Sequence, residues 1–245
     1  MSATRATRRG VQAVLLDAAG TLITTARPVG ESYAACAQRF GAALEPAALM
    51  AGFRTQFPAM PPMAFPLSPH DSLLEQERDW WRTLVRRVVA QAGGGIDDFE
   101  GFFDALFHYF AQAQAWRLYP EVVEVLRTLR GEGYALAVVS NFDSRLLSIL
   151  EGLGLGPLLD AVVYSTAAGA AKPDERIFAS ALVRLHVTAA QALHVGDGLA
   201  ADFHGARAAG LQALLLQRPG AEEAAAAAHC IRSLAQLPDW LAARR

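Results

Sequence analysis

The chain has 245 residues, of which 53% are hydrophobic and 19% are charged, and its 22 basic and 24 acidic side chains give a net charge of −2. At roughly 150 residues per domain this length corresponds to about 1.6 domains, and the hydrophobic content excludes wholesale disorder. The balanced charge provides no strong field for nucleic acid or an anionic membrane, and no apolar run reaches the ~18 residues of a membrane span. Neither kind of partner is expected.

The N-terminus and the cysteines favour a cytoplasmic protein. Residues 1–10 are basic but lead into a strand-like segment rather than into the apolar part of a signal peptide, so we interpret them as a solvated tail. Cys36 and Cys230 lie far apart and form neither a CxxC metal site nor a disulfide framework. We expect buried thiols in a reducing compartment.

Short apolar runs separated by helical patterns predict an α/β fold. The runs lie at 11–16, 135–139, 161–164, 193–195 and 213–216. One helical pattern between them opens at Pro120, and another extends from Pro173 to Leu182. Such alternation is typical of a mainly parallel sheet covered by helices on both faces, which binds ligands at the carboxyl ends of its strands.

The stretch from 24 to 115 differs from the rest of the chain. It has no convincing buried strand but several helical patterns, at 31–40, 73–92 and 97–113, with breaks at the proline-rich 57–69 and the glycines 93–95. So much helix after the first strand indicates an inserted helical cap. We therefore predict a core of residues 1–23 and 116–245, a cap of residues 24–115, and a helical surface segment over the alanines 224–228.

Polar residues follow two of the predicted strands. Asp17, in DAAGTL, could be a nucleophile or a metal ligand, or a turn residue that caps the loop. Ser140 and Asn141, which end AVVSN, could bind a phosphate oxygen or cap the next helix. Taken singly, each pattern leaves both interpretations open.

Two further patterns favour an anion and a cation. Lys172 is the only lysine in the chain and precedes Pro173, predicted to be the first residue of a helix, so its ammonium and the helix end together favour an anion. Asp197, between two glycines, is followed five residues later by Asp202. Two carboxylates after a strand suit a hard cation such as Mg²⁺, although an aspartate can also simply cap a turn.

The order of these elements is more specific than any of them alone. The strings LLDAAGTL, VVSNFDSRL, AAGAAKPDERIF and LHVGDGLAADFHGARAAGL resemble the haloacid dehalogenase-like hydrolase superfamily over nearly the whole chain, and the insertion is similar to its small helical cap of subfamily I. PVGESY at 28–33, Trp80-Trp81 and SNFDSRL look most like its haloacid dehalogenase-like hydrolase domain-containing protein three subgroup. The resemblance implies a Rossmann-like core and an all-helical cap.

The resemblance also implies a phosphatase acting on a small phosphorylated metabolite. Asp17 would attack phosphorus and form an aspartyl-phosphate. Ser140 and Asn141 would bind the transferring phosphoryl group, and Lys172 would neutralise its charge and orient Asp17. These roles agree with the physics of phosphoryl transfer, which depends mainly on positioning and charge stabilisation.

Mg²⁺ is the cofactor that the resemblance implies. Asp17, the backbone carbonyl of Ala19 and Asp197 would hold the ion, and Asp202 would support Lys172 or metal-bound water. Any residue can supply the backbone oxygen of position 19, so the departure described next does not affect the metal.

Ala19 departs from the family pattern, because phosphatases of the family usually carry there the aspartate that protonates the leaving group and activates water. General acid–base catalysis contributes about 10²–10⁴-fold, so a slow phosphatase is expected, and leaving groups of low pKa should suffer least. Glu31, Tyr33 and Asp143 are candidates for a substitute proton carrier, since they follow motifs that end at the site.

The sequence also bears on three other chemistries of the superfamily. Phosphonoacetaldehyde hydrolases need a cap lysine, and this cap has none; haloacid dehalogenases lack the Gly-Asp that stands here at 196–197; transport ATPases need membrane spans. Dehalogenase and phosphonatase are therefore remote alternatives. A non-catalytic protein that keeps the phosphate and metal pocket for binding remains the main one.

Substrate choice is expected to come from the cap and its hinge. Arg27, Tyr33 and Trp80 are the candidates for substrate contacts, with Trp81 and Arg82 beside them. Adjacent helix positions point in different directions, so at most one of the two tryptophans should face the cleft. His194 is expected to be a packed strand residue, and the histidines show no metal-binding spacing.

Overall fold

The computed structural model describes residues 10–65, 72–219 and 229–244. The strands in chain order are β1 (Ala13–Leu16), β2 (Ile23–Thr25), β3 (Trp116–Leu118), β4 (Ala135–Ser140), β5 (Ala161–Tyr164), β6 (Ala192–Gly196), β7 (Gln212–Leu216) and β8 (Cys230–Ile231). Six of them form one sheet in the order β5-β4-β1-β6-β7-β8, and every neighbouring pair is parallel. The predicted mainly parallel α/β sheet is confirmed.

The helices flank this sheet or lie in the insertion. They are α1 (Val29–Arg39), α2 (Pro46–Gln56), α3 (Leu73–Gln91), α4 (Phe99–Ala111), α5 (Val122–Gly131), α6 (Arg145–Gly152), α7 (Ser165–Ala168), α8 (Glu175–Leu185), α9 (Gly205–Ala208) and α10 (Leu237–Ala242). A π-helical segment, Leu199–His204, precedes α9. No helix among the described residues is both long and apolar enough to cross a membrane.

Alternation along β1 explains why helices cover both faces of the sheet. Val14 and Leu16 are fully buried in a cluster with residues of α5, α6 and α10, whereas Ala13 and Leu15 are fully buried with residues of α8 and α9. Successive side chains of a strand point to opposite faces, so a strand that is apolar at every position needs a cover on each side.

Helices α1–α4 lie between β2 and β3 and share a separate apolar cluster, which includes Tyr33, Leu84, Val88 and Phe102. Strands β2 and β3 pair antiparallel, and the backbone N–H of Ala26 donates to the carbonyl of Ala115 at 2.8 Å. The chain therefore enters and leaves this group of helices through one two-stranded ribbon, where the predicted boundaries at 24 and 115 also fall.

Some local predictions differ from the structure. The helix expected to open at Pro173 begins at Glu175, because the Asp174 side chain accepts the backbone N–H of Arg176 at 2.9 Å and caps the helix there. Lys172 and Pro173 are joined by a cis peptide bond in the loop before it. The alanines 224–228 and residues 1–9 of the predicted tail lie outside the described residues.

Candidate active site

Three of the predicted site residues meet at the carboxyl edge of adjacent strands. Asp17 follows β1, Ser140 is the last residue of β4, and Asp197 follows β6, and these three strands are neighbours in the sheet. The hydroxyl of Ser140 hydrogen-bonds to the Asp17 carboxylate. Parallel strands place their carboxyl ends at one edge, which is why residues separated by 180 positions share one site.

The ammonium of Lys172 joins two carboxylates in this site. Its Nζ lies 2.6 Å from Asp17 Oδ1 and 2.5 Å from Asp202 Oδ1, and its side chain is 2% exposed. Burial opposes the charge, but the two carboxylates outweigh burial and raise the pKa of Lys172 above its usual value. The lysine therefore carries a positive charge in the site.

The side chain of Asn141 holds the backbone of Lys172. Its Nδ2 donates to the carbonyl oxygen of Lys172 at 2.9 Å, and its Oδ1 accepts the backbone N–H of Lys172 at 2.7 Å. Both polar atoms of the amide thus fix the backbone that carries Lys172. The side-chain amide is a positioning group for the lysine, and binding of phosphate by Asn141 stays a prediction.

The Asp202 carboxylate is held by three donors. Oδ1 accepts from Lys172 and lies 2.9 Å from His194 Nε2, while Oδ2 accepts the backbone N–H of Gly198 at 2.8 Å. Burial opposes its charge, but Lys172 and His194 lower the pKa of Asp202 well below its usual range. Sequence reasoning treated His194 as packing only; its ring does pack on Phe178, but it also orients Asp202.

The carboxylates of Asp17, Asp197 and Asp202 fit a divalent cation. One oxygen from each lies within 4.8 Å of the others, and three carboxylates face a single ammonium. Desolvation, together with Asp17 and Asp202, raises the pKa of Asp197 to about 7. Oxygen donors with excess negative charge suit Mg²⁺, and because Asp202 is occupied by its three donors, Asp17 and Asp197 are the two available ligands.

The loop that follows Asp17 is shaped for this arrangement. Gly20 has a φ of +89°, and a Cβ there would lie 2.2 Å from Asp197 Oδ2, so no side chain fits. Among the described residues, none donates a hydrogen bond to the carbonyl oxygen of Ala19. Arg218 supports the loop from outside, donating to the carbonyls of Gly20 at 3.1 Å and Thr21 at 2.7 Å and to Glu121 at 2.8 Å.

A cavity of about 290 Å³ extends from this loop into the insertion. Ala19, Gly20 and Asn141 line it on the side of the sheet, and Tyr33 and Trp81 are among the residues that line it on the other. The cavity is thus next to the loop of the predicted nucleophile, which is where a substrate pocket is expected.

Two predicted substrate contacts do not reach this cavity. Trp80 is buried in the helical cluster and its Nε1 donates to the carbonyl of Pro61 at 2.9 Å, so Trp81 and not Trp80 faces the cavity. Arg27 is exposed and lies outside the cavity lining. Of the three candidates Arg27, Tyr33 and Trp80, the structure places Tyr33 alone against the cavity.

None of the three proposed proton carriers combines a place in the cavity lining with the acidity of a carboxylic acid. Desolvation raises the pKa of Tyr33 well above its usual value, which makes it a poorer acid than free tyrosine. Both oxygens of Asp143 accept from Arg145, and Oδ2 also accepts from Trp81 Nε1 at 2.6 Å. Glu31 is exposed and outside the cavity lining.

The comparisons with known proteins agree with this fold and site. A family model described as haloacid dehalogenase-like hydrolase matches residues 11–210, and the chain belongs to this hydrolase family, as the sequence motifs predict. It is 35% identical over 238 residues to the human haloacid dehalogenase-like hydrolase domain-containing protein 3, covering 94% of this chain and 93% of that one.

Two solved structures are similar to this chain to the same degree. The HAD phosphatase from Thermococcus onnurineus has a TM-score of 0.68 and 25% identity, covering 96% of this chain and 100% of its own. A structure described as a dehalogenase with intermediate complex has the same TM-score and identity, covering 95% and 98%. Overall similarity therefore does not separate the two chemistries, and the site has to decide.

Proposed function

We propose that the chain is a Mg²⁺-dependent phosphatase that acts on a small phosphomonoester through an aspartyl-phosphate on Asp17. The observation that carries this proposal is the buried Lys172 ammonium, which touches the carboxylates of Asp17 and Asp202 next to Asp197. An ammonium has three N–H donors, and two of them are engaged by these carboxylates. The third is available for an oxygen of a transferring phosphoryl group.

In the first step a carboxylate oxygen of Asp17 attacks phosphorus and the bond to the leaving oxygen breaks, with its electron pair departing on that oxygen. Lys172 and the hydroxyl of Ser140 bind the non-bridging oxygens. In the second step water attacks the aspartyl-phosphate and releases inorganic phosphate. Both steps gain from fixed charges in a buried site, which need no reorganisation during the reaction.

Asp17, Asp197 and the Ala19 carbonyl would hold Mg²⁺, whose charge offsets that of the carboxylates and of the incoming phosphate. Asp202 fixes the position of Lys172 through its bonds to His194 and Gly198.

Acid-stable labelling of Asp17 tests this proposal directly. Radiolabelled acetyl phosphate supplies a phosphoryl group with a leaving group that needs no proton, so Ala19 does not hinder the transfer. We expect Mg²⁺-dependent incorporation into the full chain, release of the label by hydroxylamine, and none in Asp17→Asn. Asp174→Asn is the matched control, because Asp174 is a partly exposed aspartate near Lys172 that caps a helix, and asparagine caps equally well.

A non-catalytic binding protein is the second candidate, and Ala19 is the observation that favours it. Such a protein would bind Mg²⁺ with a phosphate analogue such as trifluoroberyllate, and acetyl phosphate would leave no covalent label. Chloride release from chloropropionate without Mg²⁺ would instead identify a dehalogenase. Labelling of Asp17 together with absence of chloride release supports the phosphatase.

A further inference from the structure

The cavity beside the active site is predominantly aromatic. Nine of the nineteen described residues that line it have aromatic rings. They come from the four helices of the insertion or their ends, from β3 and from the loop after β4: Tyr33, Phe53, Phe57, Trp81, Phe103, Phe107, Phe110, Trp116 and Phe142. Aromatic rings bind other rings through stacked and edge-to-face contacts in addition to burying apolar area. A cavity of this composition favours a flat apolar group.

The described part of the cavity lining offers no free charge to a polar substrate body. Among the lining residues that the structure describes, Arg145 alone is charged, and its guanidinium donates to Asp143 at 2.8 and 2.7 Å and to the carbonyl of Phe107. The faces of this guanidinium are covered by the rings of Trp81 and Phe107, at 4.8 and 4.0 Å. Arg145 is therefore neutralised and enclosed, so these lining residues provide no cationic partner for a second phosphate or a carboxylate.

Ala19 lies where this cavity meets the catalytic loop, so a leaving group in the cavity departs without the carboxylic acid that phosphatases of the family usually carry at this position. An alcohol resembles water, with a pKa of about 15.7, and would leave as a strongly basic alkoxide. A phenol has a pKa near that of tyrosine, about 10, and its anion is delocalised over the ring. The missing acid thus matters least for the same group that the aromatic lining binds best.

We propose that the substrates of this site are aryl phosphate monoesters, with the phosphate at Asp17 and the ring in the aromatic cavity. This inference rests on the phosphatase function proposed above. Cleavage breaks the phosphorus–oxygen bond, the phenolate leaves with the electron pair and takes a proton from water, and Asp17 carries the phosphoryl group until water removes it. A cavity of about 150 Å³ holds benzene, so about 290 Å³ accommodates one ring or two fused rings.

Single-turnover labelling of Asp17 by a series of esters tests the leaving-group half of the proposal. Phenyl phosphates with ring substituents keep the size constant while the pKa of the phenol changes, and glycerol phosphate provides an alkyl ester. We expect the labelling rate to fall steeply as the pKa of the phenol rises, and glycerol phosphate to react at least a hundredfold more slowly than naphthyl phosphate, in line with the ~10²–10⁴-fold value of general acid catalysis. In Ala19→Asp the dependence on the phenol's pKa becomes shallower.

Binding of a naphthylmethyl phosphonate tests the aromatic half without turnover. Its carbon–phosphorus bond is not cleaved by this mechanism, and quenching of the fluorescence of Trp81 and Trp116, which line the cavity, reports occupancy. Phe57 is 41% exposed on the cavity wall, so Phe57→Ala should fold and weaken binding roughly three- to tenfold, the effect of one aromatic contact. Leu74→Ala, which removes a 51% exposed apolar side chain of α3 outside the lining, should leave binding unchanged.

Two results would overturn the substrate class while leaving the phosphatase intact. One is that acetyl phosphate labels Asp17 and that glycerol phosphate labels it at least as fast as the aryl esters do. The other is equal loss of phosphonate binding in Phe57→Ala and Leu74→Ala. Absence of any label from acetyl phosphate would instead refute the phosphatase, and this inference with it.

Discussion

Ala19 determines which of the two chemical steps limits the rate of turnover. The side chain that is missing there would assist both the departure of the leaving group and the attack of water. An aryl leaving group relieves the first step only, because the aspartyl-phosphate formed afterwards is the same for every substrate. The second step should therefore limit turnover whenever the first is fast.

We predict a burst of phenolate release equal to the amount of enzyme, followed by slow steady-state turnover. Ala19→Asp should raise the steady-state rate by about 10²–10⁴-fold, because it restores a base for water. Stopped-flow absorbance with nitrophenyl phosphate measures both phases, and Ala19→Asn is the control of equal size without an acid. Linear release from the first turnover in the natural chain would show that hydrolysis of the intermediate is not limiting.

Substitution of Lys172 and substitution of Asp17 should change the free energy of unfolding differently in the absence of Mg²⁺. Lys172→Met leaves the buried carboxylates of Asp17 and Asp202 without their ammonium, a loss typically of about 3–5 kcal/mol for a broken buried pair. Burial and the neighbouring Asp202 raise the pKa of Asp17, so Asp17→Asn removes an unfavourable charge and should cost little or stabilise. Urea unfolding with and without Mg²⁺ checks this, and equal losses in both variants would contradict it.

Among the elements, the loop between β1 and β2 depends on a contact from a residue that follows β7, two strands away from β1 in the sheet. Arg218, just after β7, donates to two carbonyls of this loop and to Glu121 at the start of α5. Burial opposes the charge of Glu121, but hydrogen bonds from its own backbone, Arg218 and Ser233 hold its pKa below the usual 4.5. The carboxylate thus contributes to stability only while it is ionised.

Because the folded pKa of Glu121 is depressed, its contribution to stability is present above about pH 4.5 and is lost as the pH falls through the folded value. Glu121→Gln should lower the free energy of unfolding near neutral pH, and the difference from the natural chain should shrink in acid. Denaturant titrations from about pH 3 to pH 7 measure this. Glu124→Gln, an exposed position of the same helix, should show no such trend.

Among the elements, the sequence pattern predicted the strands that are apolar at every position. It missed the two strands that are stabilised by pairing with each other. The runs of β1, β4, β5, β6 and β7 were evident because a strand buried on both faces is apolar at every position. Strands β2 and β3 have only three residues each, of which two in each strand are half-buried, and they are stabilised by each other, so neither stands out alone. The π-helical turn that aims Asp202 at Lys172 has no composition signal either.

The site was predictable to the extent that it consists of motif residues at strand ends. Asp17, Ser140, Lys172, Asp197 and Asp202 come together as their order along the chain implies. That Trp81 and not Trp80 faces the cavity was not predictable. Trp81 bonds to Asp143, which lies 62 positions away in sequence. Such contacts are set by how the insertion packs on the sheet, which no local pattern encodes.

For the whole molecule, contacts of α3 fasten the insertion to the sheet domain in addition to the ribbon. Glu77 of α3 is fully buried and accepts from the backbone N–H of Ser144 at 3.0 Å, from the Ser144 hydroxyl and from the Thr166 hydroxyl. Trp81, one turn further, donates to Asp143. The aromatic cavity is lined both by Trp81 of this fastening and by Trp116 of the ribbon.

We predict that Glu77→Gln weakens these contacts. A carboxylate accepts hydrogen bonds with both of its oxygens, whereas the nitrogen of an amide can only donate. Hydrogen exchange should accelerate in α3 and in the loop at 142–144, while the central strands β1 and β4 stay protected. Glu75→Gln, an exposed position of the same helix, is the control. Unchanged exchange in Glu77→Gln would show that the apolar contacts alone hold the insertion in place.

The single lysine has a consequence for covalent chemistry. All other basic residues of the chain are arginines, so an amine-directed reagent finds Lys172 and the amino terminus and nothing else. The ammonium is enclosed and paired, and a charged amine is not nucleophilic, so acylation has to await an opening of the molecule. The rate at which an activated ester inactivates the protein would therefore measure how often the molecule opens. Conjugation through surface lysines, the usual way to attach a protein to a support, cannot be used for this protein.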